Sequence, residues 1–136
     1  MKKRNKPSPR EVHWCIKLHL DTVAELGSST KDKHKTYSVE GKERPVILLN
    51  IADERFGKVE FLGAFTTTQG LNGRGESRKD IIDFEPTDDG RKSYIEVPPE
   101  RISEQLLTRR KDKLSKLAFL EIKRQINKKL MQQIRS

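Results

Sequence analysis

An arginine and a threonine stand at the ends of two neighbouring apolar segments, and together these residue types can act on a phosphate. Arg44 opens the segment that runs through residues 46–49, and Thr66 closes the segment at residues 58–65. A guanidinium is always charged and presents a rigid fork of donors that fits phosphate oxygens. A hydroxyl at a strand end can contact the same phosphate or a neighbouring ribose. The pair therefore indicates a site that binds a phosphodiester.

Polar side chains near these two are the predicted substrate contacts. They share a position at a strand end or in the loop that leaves it: Asn50, Thr67, Thr68, Gln69, Arg74 and Arg78. Loops that leave the ends of strands are common places for binding sites. For the two arginines of this set, a solvated charged loop is almost as good an explanation as phosphate binding.

Purely structural explanations exist for the two central residues as well. Arg44 on a strand edge can pair with Glu43 or Glu60 across the sheet, an arrangement that is common on surfaces and contributes little. Threonines also enter strands because β-branched side chains favour extended backbone. A histidine can serve as a general base, but isolated surface histidines are mostly idle, so none of those at positions 13, 19 and 34 is assigned as a base.

Alternating apolar and polar residues predict the first strand, from Val12 to Leu20. In this pattern Trp14 falls on the buried face and belongs to the core, whereas His13 and His19 point outward. Cys15 is expected to be a small, half-buried thiol rather than a nucleophile.

The remaining pattern predicts about five strands and one helix. We expect a long polar loop or a short helical turn over residues 21–43, a strand at 46–49 covered on both faces, and a connection at 50–57. Further strands are predicted at 59–65, 81–84 and 93–97, with a flexible loop at 66–79. The helix is amphipathic, and its apolar stripe is Phe119, Ile122, Ile126, Leu130 and Ile134. The expected class is α+β, mainly β: a small antiparallel barrel or sheet with a C-terminal amphipathic helix.

Length and charge set the domain organisation and the class of partner. The 136 residues fit one domain, at 11–136, preceded by a flexible basic arm at 1–10. Lys and Arg exceed Asp and Glu by five to none in residues 1–10 and by eleven to three in residues 101–136. The net charge of +9 favours a polyanionic partner. Because only 32% of residues are hydrophobic, a second copy is expected to complete the core in a homodimer.

Several classes of site and location are not expected. The single cysteine forms no internal disulfide, and neither a secretory segment nor a membrane-spanning run is visible, so the expected location is the cytoplasm. The histidines and the cysteine lack the spacing of metal ligands, and residues 73–75 lack a nucleotide-loop pattern. We therefore expect no metal, no cofactor and no membrane partner.

The order of these elements resembles the MazF/PemK family of toxin endoribonucleases from bacterial toxin–antitoxin modules. The residues that carry the resemblance are Arg44-Pro45 before one apolar strand, Phe65-Thr66 at the end of the next, the loop that follows, and Glu100-Arg101-Ile102 ahead of a closing helix. The resemblance covers most of the chain from Val12 onward. It implies a MazF/CcdB-like fold built on a small SH3-like barrel.

The resemblance also implies an activity and partners. Arg44 and Thr66 correspond to the family's catalytic pair, which implies metal-independent, sequence-specific cleavage of single-stranded RNA through the ribose 2′-hydroxyl. A cyclic phosphate and a free 5′-hydroxyl would result, and a cognate antitoxin would cover the site of the homodimer. Two alternatives are a gyrase-poisoning toxin on the related fold, and a non-catalytic nucleic-acid-binding module driven by the basic termini.

Overall fold

Seven strands and one long helix make up the part of the chain that the computed structural model describes, which is residues 6–20 and 37–135. In order these are β1 (Glu11–Leu20), β2 (Tyr37–Arg55), β3 (Lys58–Thr67), β4 (Ile81–Phe84), β5 (Ser93–Glu96), β6 (Glu100–Ser103), a single 3₁₀ turn (Glu104–Leu106), β7 (Leu107–Lys113) and α1 (Lys116–Arg135). The expected α+β class, mainly antiparallel sheet with a terminal helix, is confirmed.

The strands form one antiparallel sheet in the order β4-β5-β3-β2-β1-β7. Strand β3 is the centre of this arrangement because its outer edge has two partners in succession. Its first half pairs with β6, where Gly63 lies opposite Glu100, and its end pairs with β5, where Thr66 lies opposite Ile95. The end of β3 is thus enclosed between β2 and β5.

Both faces of the sheet are covered, and each has its own apolar core. The helix-side core contains Val12, Ile47, Leu49, Ala64, Ile95, Val97, Leu114, Ile122 and Ile126. The second core, on the other face, contains Cys15, Val46, Leu48, Phe61, Phe65 and Ile102. The unbroken apolar run at residues 46–49 supplies both cores alternately, which confirms the prediction of a strand covered on both faces.

The terminal helix packs one face on the sheet. Its N-cap is Ser115, because a serine hydroxyl just before a helix can accept from a free amide of the first turn. The Ser115 Oγ accepts a hydrogen bond from the Ala118 amide at 3.2 Å. Ile122 and Ile126 are buried against the sheet, with Phe119 and Leu130 packed around them. The predicted stripe is wrong at its end, since Ile134 is 78% exposed.

The predicted bounds of the second strand are wrong at both ends. Part of the expected loop is strand, because β2 begins at Tyr37, while residues 21–36, with the histidine at position 34, lie outside the described residues. The expected connection at 50–57 is also mostly strand. Only Phe56 and Gly57 form the turn, with positive φ angles of 53° and 73°. Positive φ at both positions is what a two-residue hairpin with a type I′ turn requires. The hydrophobic pattern did not predict this extension of the strand, because most of the added residues are polar.

Two side chains of β1 are not where the alternation placed them. His13 is 6% exposed rather than outward, because it lies on the same side of β1 as Cys15, where the second core covers the sheet. Trp14 is only half-buried, and the Arg109 guanidinium lies 5.3 Å from its ring centroid. Cys15 is a buried thiol, as expected, although it is fully rather than half-buried.

The predicted basic arm is anchored at its end. The Arg10 amide donates to the Leu48 carbonyl at 2.8 Å, and the Arg10 carbonyl accepts from the Leu114 amide at 3.0 Å. Residues 1–5 lie outside the described residues.

Candidate functional site

Arg44 lies over the end of β3. It sits opposite Cys15 in the ladder between β1 and β2, so its side chain leaves the sheet on the face of the second core. Its Nη2 donates to the Thr66 carbonyl at 3.0 Å and to the Glu96 carboxylate at 2.9 Å. The guanidinium carbon is 5.5 Å from the centroid of the Phe65 ring, and 26% of the side chain is exposed.

Thr66 lies on the other face. Its partner across the β3–β5 ladder is Ile95, a member of the helix-side core. Directly opposed residues of a ladder share a face. Thr66 is buried, and its hydroxyl donates to the Pro45 carbonyl at 3.4 Å. That distance is beyond the usual range for a hydroxyl donor, so the bond is weak.

The two predicted catalytic residues therefore meet at one strand end but not on one face. The guanidinium of Arg44 contacts the main chain of Thr66, whereas the Thr66 hydroxyl projects to the opposite side. A phosphate that touches both groups has to lie at the rim where β3 ends, between the two faces.

The Arg44 guanidinium belongs to a charged network that sequence reasoning missed. The Glu96 carboxylate accepts from Arg44 through one oxygen and from Arg78 through the other, both at 2.9 Å. Arg78 also binds Asp80 with two bonds, at 2.9 Å and 2.8 Å. A sequence signal existed, because in β5 Tyr94 and Glu96 alternate with the buried Ile95 and so face the same side as Arg44.

Arg78 acts within this network as a structural clamp. Its Nη1 donates to the Gln69 carbonyl at 3.1 Å, so all three guanidinium nitrogens are engaged and only 16% of the side chain is exposed. Its hydrogen bonds to Asp80 and Glu96 raise the pKa of Arg78, and the same contact with Arg78 lowers the pKa of the Asp80 carboxyl. Arg78 fixes the loop after β3 rather than presenting free donors.

The other predicted substrate contacts divide into near and distant groups. Thr67 is half-buried and accepts from the Gln69 amide at 3.1 Å, while Thr68 and Gln69 are exposed next to the strand end. Arg74 is exposed in a separate turn, where its amide bonds the Asn72 side chain. Asn50 lies six residues along β2 from Arg44. The rise of a strand makes that separation about 20 Å, so Asn50 does not join the cluster.

A cavity of about 450 Å³ opens on the face that carries the Thr66 hydroxyl. Trp14 and Phe84 supply aromatic surface, and residues 66–68 supply three hydroxyls. Its lining also includes the acidic residues Glu85, Asp88, Asp89 and Asp112, and the basic residues Arg91 and Lys111. The cavity has apolar walls and both hydrogen-bond donors and acceptors, a combination that is common in sites for small organic molecules.

Two further properties bear on the chemistry. Within residues 6–20 and 37–135, no group of three or more His, Cys, Asp or Glu side chains is placed to hold a metal ion. Over the same described residues, no helix has the length and apolar character needed to cross a bilayer.

No known protein family, curated protein or solved structure matches this chain.

Proposed function

We propose that this protein is a metal-independent endoribonuclease that cleaves single-stranded RNA, the toxin of a toxin–antitoxin module on a small barrel of the MazF/PemK type. The observation that carries the proposal is the position of Arg44 at the end of β3. Both of its hydrogen bonds come from Nη2, so within the described part of the chain Nε and Nη1 remain for a phosphate. A partly exposed guanidinium with unused donors at a strand end suits a phosphodiester.

The reaction we propose transfers the phosphoryl group within the RNA. The 2′-oxygen attacks phosphorus, the bond from phosphorus to the 5′-oxygen breaks, and the products are a cyclic 2′,3′-phosphate and a 5′-hydroxyl. One proton leaves the 2′-hydroxyl and one is gained by the 5′-oxygen. Arg44 stabilises the negative charge that grows on the phosphoryl oxygens. The Thr66 hydroxyl is neutral near pH 7 and positions the phosphate or ribose, exchanging its long bond to Pro45 for one to the substrate.

Glu96 is the base that fits this scheme. Its carboxylate is 2.9 Å from the Arg44 guanidinium. A phosphate bound by Arg44 therefore has a proton acceptor beside it. The same carboxylate offsets part of the positive charge of Arg44 and Arg78 in the absence of RNA. The sequence pattern alone did not assign a base.

The decisive experiment compares Arg44→Ala with a matched arginine variant. Arg55 lies in the β2–β3 hairpin, is 77% exposed and pairs with Asp53, so Arg55→Ala removes the same charge far from the site. A labelled single-stranded RNA is incubated with each protein in excess chelator, and the cleaved ends are mapped. We expect Arg44→Ala to lower the cleavage rate about 10²-fold or more and Arg55→Ala to leave it unchanged.

The substitution should leave the fold intact, because Glu96 keeps its bond to Arg78 when Arg44 is removed. A 2′-deoxy nucleotide at the cleaved position should block the reaction. Cleavage that survives Arg44→Ala, requires a divalent metal, or proceeds at a 2′-deoxy position would overturn the assignment.

One observation favours a second candidate, a nucleic-acid-binding module without catalysis. Strand β7 carries four exposed basic residues: Arg109, Arg110, Lys111 and Lys113. Such a surface can neutralise a phosphate backbone. In that case the same assay would show bound, intact RNA. Lys111→Ala and Lys113→Ala would then weaken binding and flatten its salt dependence, while Arg44→Ala would not.

The proposed toxin also requires an antitoxin, and the charges suit one with an acidic tail. A net charge of +9 attracts such a partner at long range, and a tail that covers Arg44 would replace Glu96 as its counter-ion. Co-expression with the candidate antitoxin should then suppress cleavage without removing the Arg44 dependence.

A further inference from the structure

The outer face of α1 carries an apolar stripe that nothing covers within residues 6–20 and 37–135. Leu117, Leu120, Met131 and Ile134 are 82%, 62%, 52% and 78% exposed. They are four of the seven large hydrophobic side chains that are exposed in the described chain. With Arg124 and Asn127 they recur at alternate spacings of three and four residues, the repeat of a helix that packs along another helix.

The apolar residues of the stripe are placed symmetrically about the midpoint of α1, and this placement indicates which partner fits. It is centred between residues 125 and 126, the midpoint of α1 (Lys116–Arg135). Leu117 is as far before this midpoint as Ile134 is after it, and Leu120 and Met131 are related in the same way. An identical helix in antiparallel orientation therefore places each apolar side chain against an apolar one. We propose that a second copy of this chain binds here, with two α1 helices packed antiparallel about a two-fold axis.

The charges distinguish this arrangement from a parallel one. In the antiparallel pair, Arg124 of one copy faces Asn127 of the second copy, whereas a parallel pair in the same register brings the two Arg124 side chains together. Each Arg124 is also held by Glu121 of its own helix, at 3.0 Å and 2.6 Å. The guanidinium therefore enters the interface already paired.

Charges beside the stripe are complementary in the same orientation. Glu121 and Lys128 flank the stripe on one side, and antiparallel packing sets Glu121 near Lys128 of the second copy. The opposite face of α1 cannot serve, because Ile122 and Ile126 are buried against the sheet of the same chain. This inference does not depend on the proposed ribonuclease activity.

An exchange of charges tests both the interface and its direction. Leu120 of one copy faces Met131 of the second copy, so Leu120→Lys and Met131→Glu should each give a monomer, measured by sedimentation of the full chain at micromolar concentration. Mixing the two variants in equal amounts should restore a dimer, because one contact becomes Lys with Glu and the symmetry-related contact keeps wild-type Leu with Met. Leu71→Lys, at an exposed apolar residue of the loop after β3, is the control and should leave the wild-type dimer intact.

Each result decides the proposal. A wild-type chain that stays monomeric overturns it and leaves the stripe to a different protein. Variants that remain dimeric by themselves place the interface elsewhere, and monomers that do not recombine on mixing contradict the antiparallel register. All these residues are exposed, so circular dichroism should show an unchanged fold. Leu117→Glu with Ile134→Lys provides an independent second exchange.

Discussion

Gly63 is the position where one added methyl group should be most informative about the fold that holds the site. It lies in β3, three residues before Thr66, between Leu48 of β2 and Glu100 of β6. A Cβ at this position would lie 2.6 Å from Ile102 Cδ1 and 2.8 Å from Val46 Cγ2. Non-bonded carbons normally approach to about 3.5–4.0 Å, so both neighbours overlap by about 1 Å.

The expected cost of Gly63→Ala follows from these overlaps. Overpacking of a close-packed core costs roughly 1–3 kcal/mol, and the higher strand propensity of alanine returns about 0.5–1 kcal/mol. We expect a net loss of about 1–2 kcal/mol in the free energy of unfolding. At roughly 2 cal/mol/K per residue, that corresponds to a melting temperature lower by about 4–7 °C for a chain of 136 residues. Urea and thermal denaturation both measure it.

A double-mutant cycle identifies the cause. Ile102→Val removes the atom that is 2.6 Å away. By itself this change costs about 1 kcal/mol for the lost methyl group. If the overlap is responsible, the double variant should be more stable than the sum of the single effects by about 1 kcal/mol. Gly73→Ala is the control, because a Cβ there meets nothing within 4 Å. A fully additive cycle, or a Gly63→Ala variant as stable as wild type, would refute the packing account.

Three further predictions concern charge, catalysis and the helix. Burial raises the pKa of Glu11, but hydrogen bonds from His13, the Ser8 amide and Arg110 outweigh it and hold that pKa below 4.5. The Glu11 carboxylate therefore contributes its full stabilisation to the fold at pH values above 4.5, the ordinary pKa of the group. That contribution is lost as the pH falls through the lowered pKa of the folded state. Glu11→Gln should cost about 1–3 kcal/mol at pH 7 and progressively less in urea titrations at more acidic pH, and a pH-independent difference would contradict this. Glu96→Gln should slow RNA cleavage about 10²-fold or more without weakening RNA binding, measured by single-turnover kinetics and fluorescence anisotropy, and unchanged cleavage would remove Glu96 as the base. Ser115→Ala should lower stability by about 1 kcal/mol through loss of the helix cap, and a neutral effect in urea denaturation would show that the cap is dispensable.

Local patterns predicted the elements whose burial is simple. The period of the apolar residues around Ile122 and Ile126 identified α1, and the alternation from Val12 identified β1. The pattern did not show that β1 is covered on both faces, because the second core, which covers one of them, includes Phe61 and Ile102 from far along the chain. Strand β7 was missed for a related reason, since most of its residues are charged and exposed, and only pairing with β1 makes them a strand.

The sequence predicted that Arg44 and Thr66 lie near each other, but not the faces on which they lie or the other members of the site. The chain order placed Arg44 and Thr66 at consecutive strand ends, and the structure does bring the Arg44 guanidinium into contact with the Thr66 main chain. The two side chains lie on opposite faces because of the register between the strands. A shift of one residue would turn a side chain to the other face, and the sequence does not show the register. Glu96 is 52 positions from Arg44, and this ion pair arises only because β5 joins the end of β3.

The position of β7 at the end of the sheet affects how molecules meet in a concentrated solution. Within the described sheet its only partner is β1, so one side of its backbone offers amides and carbonyls to any passing extended peptide. Four of its seven residues are lysine or arginine, and two such edges that approach each other repel. This repulsion opposes edge-to-edge association of the sheets. High salt screens the repulsion, so we expect precipitation to begin at high salt concentration.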